Sequence, residues 1–487
     1  MKWNLTAGHP PVWPVAAEAY VAAAQGATAA ESLELRRRAA EQLLRSGHVD
    51  RGLAMIRDVL GAVGMTLAAG PKRALLSLLL RRAWTRVRGT GFRERDASQI
   101  SAEQLMRIDV CWTVAYGLGI IDIVRGNDYQ TRHLLLALRA GEPYRVAKAL
   151  ALEVAYSASS GGRTRRRTEK LRQETALLVS RVGHPHALGL ATFTSGFAVY
   201  LEGRWRTAQK LLEQAEGILR ERCTGVSWEV DNAQYYALRS LCFMGRFEEL
   251  SRRLPSYLED VQNRGDLYAE TNLRTRVSYN LLLVRDDPVK ARQEIREMVG
   301  RWSHRSYHLQ HYYDLHGQAE IDLYEGNPKA AWERVSSGWR ALERSLLRRA
   351  QLVFLESAYL RARSVLAALA AREIDVRFLG LAESDARRIE RERMPWSNPL
   401  AQLLRASAAA LRGDGSNAIA LLASAESGFE AADEGLYAAA ARRRRGELVG
   451  GQEGSRLMSE AEAWMSRERV VNPARLCALL APPCSAR

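Results

Sequence analysis

Small and apolar residues recur at fixed spacings along the chain, most clearly in SGFAVYLEGRWRTAQKLLEQAEGIL over residues 195–219. A small residue stands 7 positions before the central glycine of this stretch, and an apolar residue stands 3 positions before it. An aromatic residue follows 2 positions after the glycine, and Ala, Leu and Ala follow 5, 9 and 12 positions after it. Those positions are Gly196, Tyr200, Gly203, Trp205, Ala208, Leu212 and Ala215. Spacings of three and four residues place side chains on one face of a helix. The stretch therefore predicts two helices joined by a tight turn at Gly203, where glycine tolerates positive φ.

The small residues of this frame predict close contact between helices rather than chemistry. Gly196 and Ala208 would let the two helices of a pair approach each other. Trp205 would form a wedge between them, and Leu212 and Ala215 would face the next pair. We interpret all of these positions as structural.

The same frame recurs along the sequence. It fits well around Gly47, Gly326 and Gly413, and more weakly around Gly126, Gly161, Gly245 and Asp286. The anchors 161, 203, 245, 286 and 326 are 40–42 residues apart. One hairpin cannot bury its apolar face alone, but stacked hairpins can. The pattern is that of tetratricopeptide (TPR) repeats with a period longer than the usual ~34 residues. It predicts an all-α, right-handed superhelical solenoid of about ten TPR-like hairpins.

Breaks in the frame predict the organisation of the chain. A loop over residues 86–104 leads to a helix start near Ser101, and Pro395 and Pro399 interrupt the pattern later. The predicted segments are an irregular N-terminal cap over 1–14, first hairpins over 15–100, a central array with a ~41-residue period over 101–379, C-terminal hairpins over 380–470 and a tail over 471–487 that forms a short helix and then frays.

Composition suits a helical protein of the cytoplasm. Hydrophobic residues make up 47% of the chain, and the mean hydropathy is −0.26. The most apolar run, ALLSLLL over residues 74–80, is too short to span a bilayer, and the N-terminus lacks the apolar core of a signal peptide. The five cysteines are scattered and form no C-x-x-C pair, which argues against disulfides or a zinc site. We expect a cytoplasmic protein with no membrane partner.

The chain is basic, with a formal net charge of +16, but only seven of its 71 basic residues are lysines. Two runs stand out, RTRRRTEKLR over residues 163–172 and ARRRRG over residues 441–446. Each is open to three interpretations: a solvated helix face, a docking surface for an acidic protein segment, or a nucleic-acid contact. Neither run contains the interleaved aromatic residues that stack on bases, so nucleic acid is the least favoured partner. The candidate partner-binding arginines are Arg163, Arg165, Arg166 and Arg167.

No motif with a fixed catalytic spacing is present, whether a phosphate loop, a nucleophile elbow, a zinc motif or a kinase motif. The sequence therefore predicts a protein that is not an enzyme and needs no cofactor. The densest polar cluster places His304, His308 and His311 at helical spacing, with Asp314 one turn on. Such a face could bind a transition metal, but packing between hairpins is the favoured interpretation, and no metal site is predicted. In GHPHALG over residues 183–189, Pro185 indicates the start of a helix.

A superhelix of hairpins has a concave face lined by the first helix of each pair, here called the A helix. Tyrosine and arginine often carry interface energy. We expect the concave face to bind a protein or peptide partner. The candidate residues there are Tyr200, Tyr235, Tyr236, His308, Tyr312 and Tyr313, although some of the tyrosines would serve only as core.

The amino-acid sequences of several segments resemble those of a known group of proteins. They include RRRAAEQLLRSGHVDRGL over 36–53, RHLLLALRAGEPYRVAKALALE over 132–153 and HLQHYYDLHGQAEIDLYEG over 308–326. Residues 15–445 resemble the C-terminal helical region of large bacterial serine/threonine kinases, in which a kinase domain and an AAA/STAND-type ATPase module precede TPR-like repeats. This sequence holds neither module, so no catalytic residue carries over.

What the resemblance implies is a regulatory role, in which the repeats sense a ligand or partner and control an ATPase and kinase. We therefore expect a non-catalytic TPR-like scaffold or sensor that binds a protein or peptide, with self-association left open. Two alternatives remain: a basic nucleic-acid-associated regulator, and a truncated serine/threonine kinase without its catalytic domain.

Overall fold

A computed structural model describes residues 12–119 and 121–484. The first 11 positions of the expected cap, and the last three of the expected tail, lie outside those ranges. Within them the chain is helical and contains no strand, so the all-α class is confirmed. No helix in the described ranges is long and apolar enough to cross a membrane. The helices, in chain order, are α1 Val12–Ala23, α2 Ala29–Arg45, α3 Val49–Ala62, α4 Pro71–Arg88, α5 Ala102–Leu118, α6 Ile123–Ala140, α7 Pro143–Ala158, α8 Arg165–Val182, α9 Pro185–Leu201, α10 Trp205–Arg222, α11 Ser227–Met244, α12 Phe247–Arg264, α13 Leu267–Leu273, α14 Tyr279–Val284, α15 Pro288–Gly300, α16 Leu309–Tyr324, α17 Pro328–Ser345, α18 Gln351–Ala370, α19 Leu379–Arg391, α20 Asn398–Leu411, α21 Gly415–Ala431, α22 Gly435–Val449, α23 Gly451–Arg467 and α24 Pro473–Leu480.

Turns with positive φ join consecutive helices at the predicted anchors. The φ angles are 80° at Gly161, 78° at Gly203, 71° at Gly245, 60° at Asp286 and 78° at Gly326. Glycine has no Cβ to oppose this conformation, and aspartate tolerates it better than most residues. The long period comes from long helices, since α9 and α10 hold 17 and 18 residues.

The weaker match at Gly126 is wrong, because this residue lies inside α6 and not in a turn. A Cβ at this position would clash with the hydroxyl of Tyr156 and the backbone of Gly119. Gly126 is therefore small so that α6 can approach its neighbours, not so that the chain can turn.

The short helix expected in the tail after residue 471 is present as α24, and the described residues that follow it, expected to be frayed, are largely buried. Helix α24 contacts α16 and α22, and its Leu476, Cys477 and Leu480 are buried. The Val471 N–H also donates to the Val284 carbonyl at 2.9 Å. Contacts with helices far away in sequence order this segment.

The first helix of a pair is buried on most of its faces, whereas the second is buried on one. In α11, 15 of 18 residues are buried, but in α12 only Phe247, Leu250, Leu254 and Val261 are. The spacing of three and four in α12 is that of an ordinary amphipathic helix. The A helices therefore lie in the interior, and their partners form the outer layer.

The C-terminal half of the chain covers the turns of the central hairpins. The turn at Gly203 lies against the Trp396 indole, and the turn at Gly245 lies against Leu436 and Trp464. The Gln351 N–H donates to the Ser159 carbonyl at 3.0 Å. These contacts join residues about 190 to 220 positions apart along the chain.

Candidate functional site

The tyrosines expected on an open concave face lie in the interior instead. Tyr200, Tyr235, Tyr236, Tyr312 and Tyr313 are all buried. All but Tyr312 line an interior cavity of about 130 Å³ whose other walls are largely apolar and aromatic. The five tyrosines therefore belong to the interior, which was expected of only some of them.

Two arginines and a glutamate form the polar wall of this cavity. Arg276 and Arg239 both donate to Oε1 of Glu356, Arg239 at 3.3 Å. The Arg276 guanidinium also stacks over the Tyr313 ring, 4.9 Å from its centroid. Burial acts to raise the pKa of the Glu356 carboxyl, but Arg276, His316 and Arg239 outweigh it and lower the pKa below its ordinary value. Glu356 is therefore an ionised carboxylate shared by two guanidiniums.

The position of Arg276 depends on an irregularity in its helix. A π turn, Arg274–Ser278, interrupts the helix between α13 and α14. The Arg276 carbonyl there accepts from Arg239 Nη1 at 2.9 Å and from Asn280 Nδ2 at 3.0 Å. Single π turns occur often at functional sites. Nothing in the sequence pattern around residue 276 predicted this turn.

A second polar group extends the cluster toward α24. Arg276 Nη1 donates to His316 Nδ1 at 3.1 Å. The Tyr279 hydroxyl donates to Glu320 at 2.6 Å, and Arg363 pairs with the same carboxylate. A smaller cavity of about 80 Å³ lies here, and Arg239, Arg276 and Glu356 line both cavities. The two cavities thus share one charged wall.

The protonation states of this cluster follow from burial and neighbouring charge. Burial lowers the pKa of His316 to about 4, with Arg276 adding to the effect, so the ring is neutral at pH 7. Burial opposes ionisation of Glu320, but His316 and Arg363 lower its pKa to about 2. Burial raises the pKa of Glu434, on the wall of the smaller cavity, well above its ordinary value. Burial therefore favours the neutral form of Glu434, whereas Glu320 is ionised.

The arginines of the first basic run lie at the start of α8, as expected. Arg167 donates to the buried Glu153 at 2.9 Å and is therefore a structural residue. Arg166 is exposed. Arg163 and Arg165 line a surface cleft of about 560 Å³ together with Arg204, Arg391 and Arg393.

The second basic run is neutralised by its surroundings. Arg442 bonds Glu426 and Glu430 at 2.6 and 2.7 Å. Arg443 pairs with Glu447 and Glu462, and Arg445 with Glu426. Arg444 is buried and donates to the Ala481 carbonyl at 3.0 Å. These arginines connect neighbouring helices and do not form a basic surface for nucleic acid.

The three histidines do not share one helical face, because α16 begins only at Leu309. His304 precedes the helix and is exposed. His308 Nδ1 accepts from the Trp302 indole at 3.2 Å, and the His308 N–H donates to His311 Nδ1 at 2.9 Å. No group of three potential metal ligands converges among residues 12–119 and 121–484. In this structure His308 and His311 serve as hydrogen-bonding residues at a helix start.

The repeat-frame positions that were interpreted as structural lie in α9 and α10 and in the turn at Gly203 between them. The side chains of Trp205, Ala208, Leu212 and Ala215 are fully buried. The Trp205 ring stacks on Phe243, with centroids 4.1 Å apart. A Cβ at Gly196 would lie 3.0 Å from Leu212, which is tighter than ordinary contact.

Sequence reasoning missed one surface, the exposed face of α4. Five of the twelve large apolar side chains that are exposed in the described residues belong to this helix. They are Leu76, Leu79, Leu80, Trp84 and Val87, each between 55% and 82% exposed. Spacings of three, four and eight residues put them on one side of the helix. The sequence ALLSLLL already indicated this surface, because its leucines lie on both the buried and the exposed face of the helix.

Comparison with known proteins adds no family assignment. No protein-family model matches the chain, and no curated protein shows a significant match to it.

Proposed function

We propose that this chain is a non-catalytic scaffold or sensor that binds a protein partner through the exposed face of α4. It would act in the cytoplasm, in a bacterial signalling system of the kinase-linked, STAND-ATPase type. The observation that carries the proposal is the cluster of exposed apolar side chains on α4. Contiguous exposed apolar surface is a mark of protein interaction sites.

The repeat architecture in this proposal is a right-handed superhelical solenoid of about ten TPR-like hairpins. The positive φ angles at anchors 40–42 residues apart support it. Solenoid proteins serve mainly as binding surfaces, because each repeat adds area without requiring a catalytic centre. The resemblance to the helical region of large bacterial kinases supports the assignment to signalling.

Helix α4 has two opposite faces of different character. On the inner face Ala74, Leu78 and Thr85 are buried, and Ser77 donates to Asp128 at 2.7 Å. On the outer face Leu76, Leu79, Leu80 and Trp84 are each more than half exposed. The inner face is sufficient to attach α4 to α6, so the apolar outer face is not explained by folding.

The charges around the outer face indicate what covers it. Helix α4 contains six basic and no acidic residues. Lys72, Arg73 and Arg86 flank the apolar face, are exposed and have no ion partner among the described residues. Two copies of α4 would bring like charges together. The complementary partner is therefore an amphipathic helix with an apolar stripe and acidic flanks.

A binding experiment with a synthetic probe tests this proposal. The probe is a helical peptide of the length of α4, with leucine at every third or fourth position and glutamate beside that stripe. We expect it to bind the full chain, with weaker binding at higher salt. The double variant Leu80→Ser/Trp84→Ser should reduce affinity at least about tenfold, since buried tryptophans often dominate interface energy. Both residues are exposed, so the variant should fold normally.

Two controls keep the result interpretable. Leu177→Ser removes an equally exposed leucine from α8 and should leave binding unchanged. A peptide with lysine in place of glutamate should bind weakly. Equal binding of the lysine peptide, or equal loss in the α8 variant, would contradict the proposal. Tighter binding to phosphatidylserine vesicles than to the peptide, lost in the double variant, would assign the face to a membrane surface instead.

A further inference from the structure

We infer that the larger interior cavity binds a small aromatic or apolar monocarboxylate whose carboxylate contacts Arg276. This goes beyond the proposed function, which concerns a protein partner on the outside of the molecule. The inference rests on four observations: the size of the cavity, its lining, the charges of its polar wall and a hydrogen-bond donor in that wall that lacks a partner.

The size and lining suit one ring. The cavity measures about 130 Å³, and apolar cavities of roughly 150 Å³ in other proteins bind benzene. Its walls carry Tyr116, Tyr156, Phe193, Phe197, Trp228 and Tyr313. Aromatic walls of this kind favour a flat ligand through stacked and edge contacts.

The polar wall has more positive than negative charge. The buried guanidiniums of Arg239, Arg276 and Arg363 face two ionised carboxylates, Glu320 and Glu356. Burial lowers the pKa of His316 to about 4 and raises the pKa of Glu434, so burial favours the neutral form of each. The larger cavity itself is lined by two guanidiniums, Arg239 and Arg276, and one carboxylate, Glu356, which leaves one positive charge without a counter-charge in its wall. An unpaired buried charge is costly, and an anionic group bound beside it would remove that cost.

Two donors of this cluster, the Nε–H groups of Arg276 and Arg363, lack a partner, and of these two residues only Arg276 lines the larger cavity. The Arg276 Nε–H is buried and makes no hydrogen bond within the protein, although both Nη atoms do. A buried donor without an acceptor is rare in folded proteins. A carboxylate in the cavity would supply the acceptor and the missing charge together. A neutral aromatic molecule would supply neither, so the site should discriminate between an acid and its amide.

The test compares phenylacetate with phenylacetamide, which has the same ring and nearly the same shape. Calorimetric titration of the full chain at pH 7 should give a Kd at least about tenfold lower for the acid. Arg276→Gln should abolish this preference. Ala155→Phe, which fills the cavity from α7, should abolish binding of both compounds. Arg391→Gln removes a guanidinium from the surface cleft and serves as the matched control.

Thermal melting of each variant shows whether it is folded. If Arg276→Gln does not fold, the loss of phenylacetate binding in Ala155→Phe tests whether the ligand occupies this cavity. Absence of phenylacetate binding, equal affinity for the amide, or undiminished binding by Ala155→Phe would each overturn the inference. The Leu80→Ser/Trp84→Ser variant should bind phenylacetate normally. If the α4 face proves not to bind a protein partner, the conclusion about the cavity still stands. If the cavity proves not to bind phenylacetate, the proposal for the α4 face still stands.

Discussion

Arg239 Nη1 donates a 2.9 Å hydrogen bond to the backbone carbonyl of Arg276. That carbonyl belongs to a π turn, which interrupts the regular helical ladder and lets the carbonyl accept from side chains. The bond brings two guanidiniums to one side of Glu356, a residue more than 100 positions away from Arg239. The centre of the molecule is thus a charged cluster inside a helical array, and its stability should depend on every member.

Glu356→Gln should destabilise the protein by about 3–5 kcal/mol, because it leaves two buried guanidiniums without their shared carboxylate. Urea denaturation followed by circular dichroism measures the change. Glu390→Gln is the matched control, since it removes the same charge from a partly exposed pair with Arg405 and should cost at most about 1 kcal/mol. Similar losses in the two variants would show that the buried cluster contributes no more than a surface pair.

Gly203→Ala should be more damaging than Gly326→Ala, although both glycines have a φ of 78°. Each variant places a Cβ in a left-handed turn, which costs about 1–2 kcal/mol. Only at Gly203 does the new Cβ also clash with Trp396, whereas nothing lies within 4 Å of the position at Gly326. Overpacking of this kind adds about 1–3 kcal/mol. Urea midpoints for the two variants should differ accordingly, and equal midpoints would show that the contact with Trp396 is not tight.

The contribution of two buried histidines to stability should fall as the pH is lowered from about 6.5 toward 4. Burial lowers the pKa of both His308 and His316 to about 4, whereas a histidine in an unfolded chain has a pKa near 6.5. Between these values the unfolded chain binds more protons, so the free energy of unfolding rises with pH. Each histidine contributes at most about 1.4 kcal/mol per pH unit.

The measurement is the unfolding free energy at several pH values in that window. His316→Gln should reduce the slope, and His304→Gln, which changes an exposed ring, should not. A slope unchanged in His316→Gln would mean that this imidazole takes up its proton without cost to the fold.

Ala208→Arg should loosen the chain locally, because it places a charge at a fully buried contact between α9 and α10. Hydrogen exchange of those two helices should quicken, while helices distant in space keep their protection. Thr207→Arg, one residue earlier and exposed, is the control and should exchange like the unmodified chain. Faster exchange throughout the molecule would show instead that the array unfolds as one cooperative unit.

The sequence predicted local features well and distant contacts poorly. The anchor at Asp286 was placed from spacing alone, and its φ of 60° agrees with the glycine turns. The sequence left open which of the tyrosines are core, because helical spacing alone does not decide whether Tyr236 or Tyr312 faces the interior. The exposed face of α4 was overlooked because a run of leucines was judged only as a possible membrane span.

The sequence by itself determined the helical class and the turns, since these depend on neighbours within a few residues and on the freedom of glycine at positive φ. The tertiary structure alone decided that side chains from several A helices meet around one cavity. It also decided that later residues, Trp396 and Gln351, cover the turns near Gly203 and Ser159. A local repeat pattern carries no information about which later helix covers an earlier turn, so only the folded chain reveals the charged cavity wall formed by Arg239, Arg276 and Glu356.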